Sequence, residues 1–223
     1  MNYYKITNKD EKHYGMTYKT GLNVDVLPFN PSGDCKNGGI YFAREDILGF
    51  LDYGPWLRKV TIPNGEPVYD NPGKPVKWKS HRVILGKRER ITLKVIKRLV
   101  KEGADIHADD ESALRRAAYN GHLAVVKYLV SEGADIHAVN DYALQWAAYY
   151  GHLDVVKYLV SEGADIHAVN DFALRLAAGK GHLTIVKYLV SKGANIHADN
   201  DLALRWAAHN GHLAVVKYLK TIK

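Results

Sequence analysis

Histidine is the residue type in this sequence with the widest possible chemistry, because imidazole binds transition metals and transfers protons near neutral pH. The chain has 11 histidines, and eight of them recur at intervals of 30 residues. Histidines repeated in this way would form parallel columns in stacked units, whereas a zinc site needs ligands that converge on one point. We therefore predict no metal and no cofactor. We expect the four histidines that follow glycine to bond the backbone of a neighbouring unit: His122, His152, His182 and His212.

A second possible chemistry lies near the N-terminus. Three short strings occur in the order His13-Tyr-Gly15, Gly21-Leu22 and Gly39-Ile-Tyr-Phe-Ala43. This order resembles the order of motifs in ADP-ribosyltransferases. In that family a histidine and a tyrosine hold the nicotinamide dinucleotide and a later glutamate directs catalysis, so the resemblance implies binding roles for His13 and Tyr41. Glu66 and Glu89 follow Tyr41 too closely for that layout. Residues 40–42 also fit a buried strand after a Gly-Gly turn. We predict that the protein is not an enzyme and keep this activity as the alternative.

A basic stretch at residues 74–90 mixes lysine and arginine with Trp78. Such a mixture can bind a single nucleic-acid strand through phosphate contacts and base stacking. The alternation of Val76, Trp78 and Ser80 with Lys77, Lys79 and His81 equally fits an edge strand with one solvated, charged face. We favour the strand, and we do not expect nucleic acid as a partner.

Composition narrows the class of protein further. The chain has 223 residues, of which 47% are hydrophobic and 25% charged, as in ordinary globular proteins. The longest apolar runs are too short to span a bilayer, so no membrane partner is expected. The net charge is +7, of which residues 1–90 contribute +5 from 15 basic and 10 acidic side chains. The one cysteine, Cys35, cannot form an internal disulfide, which favours an intracellular compartment. We interpret it as an ordinary turn residue.

Proline and a repeat divide the chain in two. All seven prolines precede residue 76, and the string Glu102-Gly-Ala-Asp-Ile-His-Ala returns at Glu132, Glu162 and Lys192. A fixed period of this length predicts stacked supersecondary units. We expect a small α+β module at 1–90 and a repeat array at 91–223. The array comprises a half repeat at 91–101 and four units at 102–131, 132–161, 162–191 and 192–221.

Each unit is predicted to fold as two antiparallel helices. In the second unit, Ala143, Leu144, Ala147 and Ala148 share one face of a first helix, and Gly151 supplies a left-handed stop. Asn140 or Asp141 is expected to cap that helix. The second helix starts near residue 153 and carries an apolar stripe. Because no unit can bury its stripe alone, the units must share a core.

The four units resemble ankyrin repeats. The shared pattern is Ala-Leu, Ala-Ala-x-x-Gly-His-Leu, Val-x-x-Leu and Gly-Ala-Asp, and it covers about residues 93–221. The period of 30 is shorter than the 33 of the family, and the Thr-Pro-Leu-His turn is absent, so the resemblance implies short turns between units. The overall expectation is a mainly α protein, an ankyrin solenoid preceded by a small α+β domain.

The first 90 residues resemble the leading module of ankyrin-repeat proteins from giant DNA viruses of the mimivirus group. The resemblance rests on strings such as Pro28-Phe-Asn-Pro-Ser-Gly-Asp34 and Gly38-Gly-Ile-Tyr-Phe42. The pattern here predicts one short helix at about 45–52, with acidic residues at its start. It predicts strands near 21–27, 39–43, 56–62 and 82–85.

Differences among the four copies indicate where a partner binds. Positions alike in every unit serve stacking, whereas the varied ones lie in the turn and first helix, which in ankyrin arrays line the concave groove. Tyrosine, tryptophan and arginine dominate binding hot spots, and we consider inter-repeat packing nearly as good an explanation for the two tryptophans. The predicted partner-binding residues are Tyr119, Tyr142, Trp146, Tyr149, Tyr150, Phe172, Lys180, Arg205, Trp206 and His209. The expected partner is a host or viral protein. The favoured compartment is the host cytoplasm, with the nucleus and the virion as alternatives, and no small-molecule substrate is expected.

Overall fold

A computed structural model describes residues 2–13, 15–30, 38–71 and 75–222. Helices make up 48% of the chain and strands 19%. Cys35 and Lys74 lie outside the described residues. The predictions made for these two residues therefore stay predictions. The chain divides into two compact units, an N-terminal unit of residues 1–113 and a C-terminal unit of residues 114–223.

The N-terminal unit combines short antiparallel strands with one 3-10 helix and one α-helix. In chain order its elements are β1 (Tyr3–Thr7), β2 (Lys12–His13), β3 (Met16–Thr17), β4 (Gly21–Val24), β5 (Ile40–Phe42), the 3-10 helix (Glu45–Phe50), β6 (Trp56–Thr61), β7 (Tyr69–Asn71), β8 (Lys77–Ser80), β9 (Arg82–Arg90) and α1 (Leu93–Lys101). The strands form sheets in the orders β1-β6-β9-β4, β2-β3 and β5-β8-β7. Ile40, Phe42, Val83 and Leu85 are among the residues of the shared core.

The four predicted strands and the short helix are present, with shifted ends. Strand β9 continues to Arg90, five residues beyond the predicted end, because its second half pairs with β6. The pattern missed β1, in which Tyr4 to Thr7 are all buried. A strand buried on both faces shows no apolar–polar alternation, and Lys5 within it conceals the apolar run.

The prediction of a solvated edge strand at 76–81 is wrong. Strand β8 is the middle strand of its sheet, between β5 and β7. Lys79 is 0% exposed and Ser80 is equally buried, so the side chains do not sort into a charged and an apolar face. A central strand has a hydrogen-bonded neighbour at both of its edges, and one of these neighbours, β5, lies more than 30 residues away in the sequence.

A buried ion pair joins β6 to the loop before β2. Arg58 donates from Nε to Glu11 Oε1 at 2.7 Å and from Nη2 to Glu11 Oε2 at 2.9 Å. These hydrogen bonds from the guanidinium hold the pKa of the Glu11 carboxyl below its ordinary value.

The stability of the N-terminal unit is therefore expected to fall in acid. A carboxyl with a lowered pKa in the folded state contributes stability above its unfolded pKa of 4.5 and loses it as the pH falls further. Fluorescence of Trp56 and Trp78 across pH 3 to 7, in urea and in a background with Trp146→Phe and Trp206→Phe, measures this slope. Glu11→Gln removes the titrating group, so the variant is less stable at pH 7 and shows a shallower acid dependence. An unchanged slope in the variant would contradict the assignment.

The start of the repeat pattern is attached to the N-terminal sheets. The Tyr4 hydroxyl donates to Glu102 Oε2 at 2.6 Å, and the Asp105 amide donates to the Glu45 carbonyl at 2.8 Å. The junction at residue 90 lies between β9 and α1, and the compact N-terminal unit extends to Ala113.

The remaining helices alternate as the repeat predicts. They are α2 (Ala108–Tyr119), α3 (Leu123–Ser131), α4 (Ala138–Tyr150), α5 (Leu153–Ser161), α6 (Ala168–Gly179), α7 (Leu183–Ser191), α8 (Ala198–His209) and α9 (Leu213–Thr221). Within the C-terminal unit, one leucine from each of six successive helices is completely buried: Leu114, Leu129, Leu144, Leu159, Leu174 and Leu189. This shared core confirms that the units stack.

A left-handed turn opens each first helix. Val139, Asn140 and Asp141 all have φ near +58°, so regular right-handed helix begins after them. The carboxylate of Asp141 accepts the Asp165 amide of the next repeat at 2.8 Å. The expected capping role is replaced by this bond, which ties one repeat to the next.

Candidate partner-binding site

Five aromatic residues from two repeats meet on one surface of the C-terminal unit. Tyr142, Trp146, Tyr149 and Tyr150 occur at positions i, i+4, i+7 and i+8 of α4, which places them on one face of the helix. Tyr119, at the end of α2, joins them. We call these five residues the aromatic cluster.

The rings of the cluster contact one another directly. Tyr119 lies 4.2 Å from Tyr150 and 5.5 Å from Trp146, measured between ring centroids. Trp146 lies 5.3 Å from Tyr142, 5.6 Å from Tyr149 and 5.6 Å from Tyr150. Most of these pairs are edge-to-face, a favoured arrangement for aromatic side chains. The five rings therefore form one continuous surface in the unbound chain.

The cluster remains accessible at its outer side. Tyr150 is 39% exposed, and the other four members are half-buried. A side-chain hydrogen bond to Tyr119 raises the pKa of Tyr150 to about 12. Tyr150 therefore offers a neutral phenol and a broad apolar ring at any physiological pH.

The two tryptophans pack between repeats and also reach the surface. Trp146 contacts Tyr119 of the preceding repeat, and Trp206 lies over Gly179 of its own predecessor, where an added Cβ would be 3.2 Å from the indole. Both indoles are half-buried. Part of each indole is thus buried by packing between repeats, and the rest is exposed at the surface. The absence of a side chain at Gly179 leaves the space that Trp206 fills.

Cationic side chains flank the cluster. Lys180 Nζ lies 4.4 Å from the centroid of the Tyr149 ring, and the Arg115 guanidinium lies 5.9 Å from that of Tyr142. Arg205 is exposed on α8. Arg175, in the same column, is only 6% exposed and binds Asp199 at 2.6 Å, so it serves the framework. The repeat pattern alone could not separate Arg175 from Arg205.

The remaining predicted residues form a second, looser group. Phe172 lies 6.3 Å from Trp206, and His209 is exposed at the end of α8. The structure therefore places the ten predicted residues in one dense cluster on α2 and α4 and a sparser set on α6 and α8. Contact of these residues with a partner stays a prediction.

Histidines from the following repeat position the ends of the helices that carry the site. His152 donates from Nε2 to the Tyr119 carbonyl oxygen at 2.9 Å. In the same way, His182 donates to the Tyr149 carbonyl at 2.9 Å and His212 to the Gly179 carbonyl at 3.0 Å. The predicted backbone role of these three Gly-His histidines is confirmed. Each bond crosses from one repeat to the next, so stacking fixes the carbonyl beside the Tyr149–Tyr150 pair.

The other four repeated histidines pair within their own repeats. Nδ1 of His137 lies 3.1 Å from Asp141, and equivalent contacts of 2.6 to 3.0 Å involve His107, His167 and His197. Across the described ranges, no group of three or more His, Cys, Asp or Glu side chains could hold a metal ion. The described helices are all too short or too polar to cross a membrane.

The two residues of the enzyme alternative do come together. His13 and Tyr41 both line a pocket of the N-terminal unit, with Lys5 and Tyr18 beside them. Its volume of about 70 Å³ is well below the ~300 Å³ at which ligand pockets begin. Glu66 pairs with Arg82 and Glu89 with Arg98, both at 2.7 Å or less, and neither lines the pocket. The geometry gives His13 and Tyr41 no catalytic glutamate from these two candidates.

Within the described residues 75–90 of the basic stretch, Trp78 and two of the arginines contact other side chains of the N-terminal unit. Trp78 packs against the core and meets Tyr3 edge-to-face at 5.8 Å. Arg82 pairs with Glu66, and Arg88 lies over the Trp56 ring at 4.5 Å. Phosphate and base contacts would have to displace these interactions.

Comparison with known proteins agrees with the repeat geometry. Residues 88–170 and 144–222 match the family model for ankyrin repeats. Three similar proteins come from Acanthamoeba polyphaga mimivirus. An ankyrin repeat protein is 42% identical over 124 residues, covering 52% of this chain and 40% of that protein. An uncharacterised protein is 36% identical, covering 54% and 91% respectively. A second ankyrin repeat protein is 35% identical, covering 54% and 38%. The chain thus spans less than half the length of both ankyrin relatives.

Proposed function

Because this chain belongs to the ankyrin-repeat family, we propose that it is a protein–protein interaction module whose aromatic cluster binds a host or viral protein. The observation that carries this proposal is the preassembled group of five aromatic rings around Trp146, with Tyr150 exposed at its edge. Tyrosine and tryptophan contribute large contact areas at a small cost in side-chain entropy. A rigid array supplies the preorganisation that makes such contacts effective.

The similarity to mimivirus proteins supports a role during infection. We place the interaction in the cytoplasm of the infected host cell, where the single cysteine of the chain would stay reduced. In this proposal the N-terminal unit is a structural companion of the array, and the binding energy comes from the C-terminal unit.

Removing two adjacent rings of the cluster is expected to weaken partner capture strongly. The change is Tyr149→Ala with Tyr150→Ala, which deletes two rings whose loss should weaken binding by at least tenfold, as hot-spot truncations do. The measurement is quantitative affinity capture from infected cells with the full chain and with the variant. A protein retained by the parent and lost by the variant is the expected result.

A matched pair of tyrosines on the opposite helices controls for general damage. Tyr158→Ala with Tyr188→Ala removes two half-buried rings from α5 and α7. This control should capture the same protein as the parent. Equal capture by all three forms would overturn the assignment of the aromatic cluster. Circular dichroism at 222 nm verifies that each variant keeps its helices.

A further inference from the structure

The first helices of the C-terminal unit lack negative charge over most of their length. The segments 114–122, 142–152, 172–182 and 202–212 contain five Lys or Arg and not one Asp or Glu, although the whole chain has 24 acidic residues. These segments carry the aromatic cluster and the looser group beside it. The surface proposed to bind a partner is therefore both aromatic and positively charged.

The acidic residues at the starts of α4, α6 and α8 all have partners within the framework. Asp141 and Asp171 are buried and accept amides of the next repeat at 2.8 and 2.9 Å. Asp199 pairs with Arg175, and Asp201 pairs with His197 at 2.6 Å. Each of these four carboxylates thus has a framework partner, and Lys180 and Arg205 are exposed cations.

Two cations lie close enough to rings of the cluster for one partner segment to contact a ring and a cation at the same time. Lys180 covers Tyr149 and Arg115 covers Tyr142, so each flank of the cluster pairs a ring with a positive charge. A carboxylate bound at Lys180 would place its neighbouring side chains against Tyr149 and Tyr150. Complementary charge of this kind selects partners and speeds association.

We propose that the aromatic cluster recognises an acidic peptide segment that carries at least one large apolar side chain. This inference rests on the proposed function and adds the chemistry of the partner. A nucleic acid is also anionic, but it needs open ring faces for its bases. One face each of Trp146, Tyr149 and Tyr142 is occupied, by Tyr150, Lys180 and Arg115 respectively.

The test uses a phage-displayed library of random 12-residue peptides, selected on the full chain. The selected sequences should be net negative and contain Leu, Phe or Trp. The strongest peptide is then synthesised with a fluorescent label and titrated by anisotropy. We expect its affinity to decrease with added salt, because the charges lie at a solvated surface.

Charge reversal on the face is the decisive comparison. The double substitution Lys180→Glu with Arg205→Glu should weaken the affinity for the peptide by at least tenfold. Lys187→Glu with Lys217→Glu, an equal change of net charge on the exposed sides of α7 and α9, should leave the affinity within about twofold.

The possible failures are distinguishable. If selected peptides depend on Tyr149 and Tyr150 but are neutral or basic, the binding site stands and the acidic preference is overturned. Equal affinities of the two charge-reversed forms also overturn that preference. If no selected peptide depends on Tyr149 and Tyr150, both the preference and the proposed site fail. Tighter binding of a single-stranded oligonucleotide than of any peptide would replace the peptide with a nucleic acid.

Discussion

Replacing Gly151 with alanine is expected to destabilise the repeat array strongly. Gly151 ends α4 with φ of +84°, and a Cβ there would lie 2.8 Å from the imidazole of His182. A left-handed alanine costs about 1–2 kcal/mol. Displacing His182 also breaks its bond to the Tyr149 carbonyl. We therefore expect a loss of about 2–4 kcal/mol in the free energy of unfolding.

Gly211 provides the matched control for this prediction. It has φ of +75°, yet no described atom beyond its own chain neighbours lies within 4 Å of the position that its Cβ would take. Gly211→Ala should therefore show only the backbone term, about 1–2 kcal/mol. Urea unfolding followed by circular dichroism at 222 nm compares the two variants. Equal destabilisation would show that the approach of His182 does not explain the glycine at 151.

The second large effect is expected in the N-terminal unit, at Arg58. Arg58 is 3% exposed and holds both carboxylate oxygens of Glu11 as well as the Gly86 carbonyl, at 2.6 Å. Arg58→Met keeps much of the side-chain volume but leaves a buried carboxylate without its main partner. Breaking a buried pair in this way costs about 3–5 kcal/mol.

An exposed ion pair in the same unit is the control. Arg98 binds Glu89 at 2.7 Å, with both side chains more than 40% exposed. Arg98→Met should lower stability by only about 0–1 kcal/mol, because water replaces the lost contacts. Hydrogen exchange of the amides in β6 and β9, measured on the full chain, reports both variants. Similar exchange rates in the two variants would contradict the larger stability contribution predicted for the pair of Glu11 and Arg58.

Much of the repeat array could be predicted because its contacts are nearly local and each copy repeats the last. The period of 30 residues placed the paired helices, the stop at Gly151 and the backbone role of His152, His182 and His212. The N-terminal unit was less predictable, since its sheets join strands far apart in the chain. Strand β1 pairs with β6 across about 50 residues, and no local pattern marks that pairing.

The candidate site shows the same division. The variation among copies indicated the aromatic positions, but it did not separate partner contact from stacking, since Trp206 packs against Gly179 of the preceding repeat. It could not show that Tyr119 of one repeat completes the cluster of the next, with ring centroids 4.2 Å apart at Tyr150. Equivalent positions also diverge in environment. Arg175 is buried against Asp199 whereas Arg205 is exposed, because each depends on the neighbouring repeat.

The sequence by itself determined the family, the helical repeats and their shared core, because all of these follow from periodicity. Only the tertiary structure decided which side chains meet. It buried Lys79 in a central strand, turned Asp141 from a helix cap into a link between repeats, and joined five rings beside Lys180. These outcomes depend on residues brought together by folding, and neither composition nor spacing records such contacts.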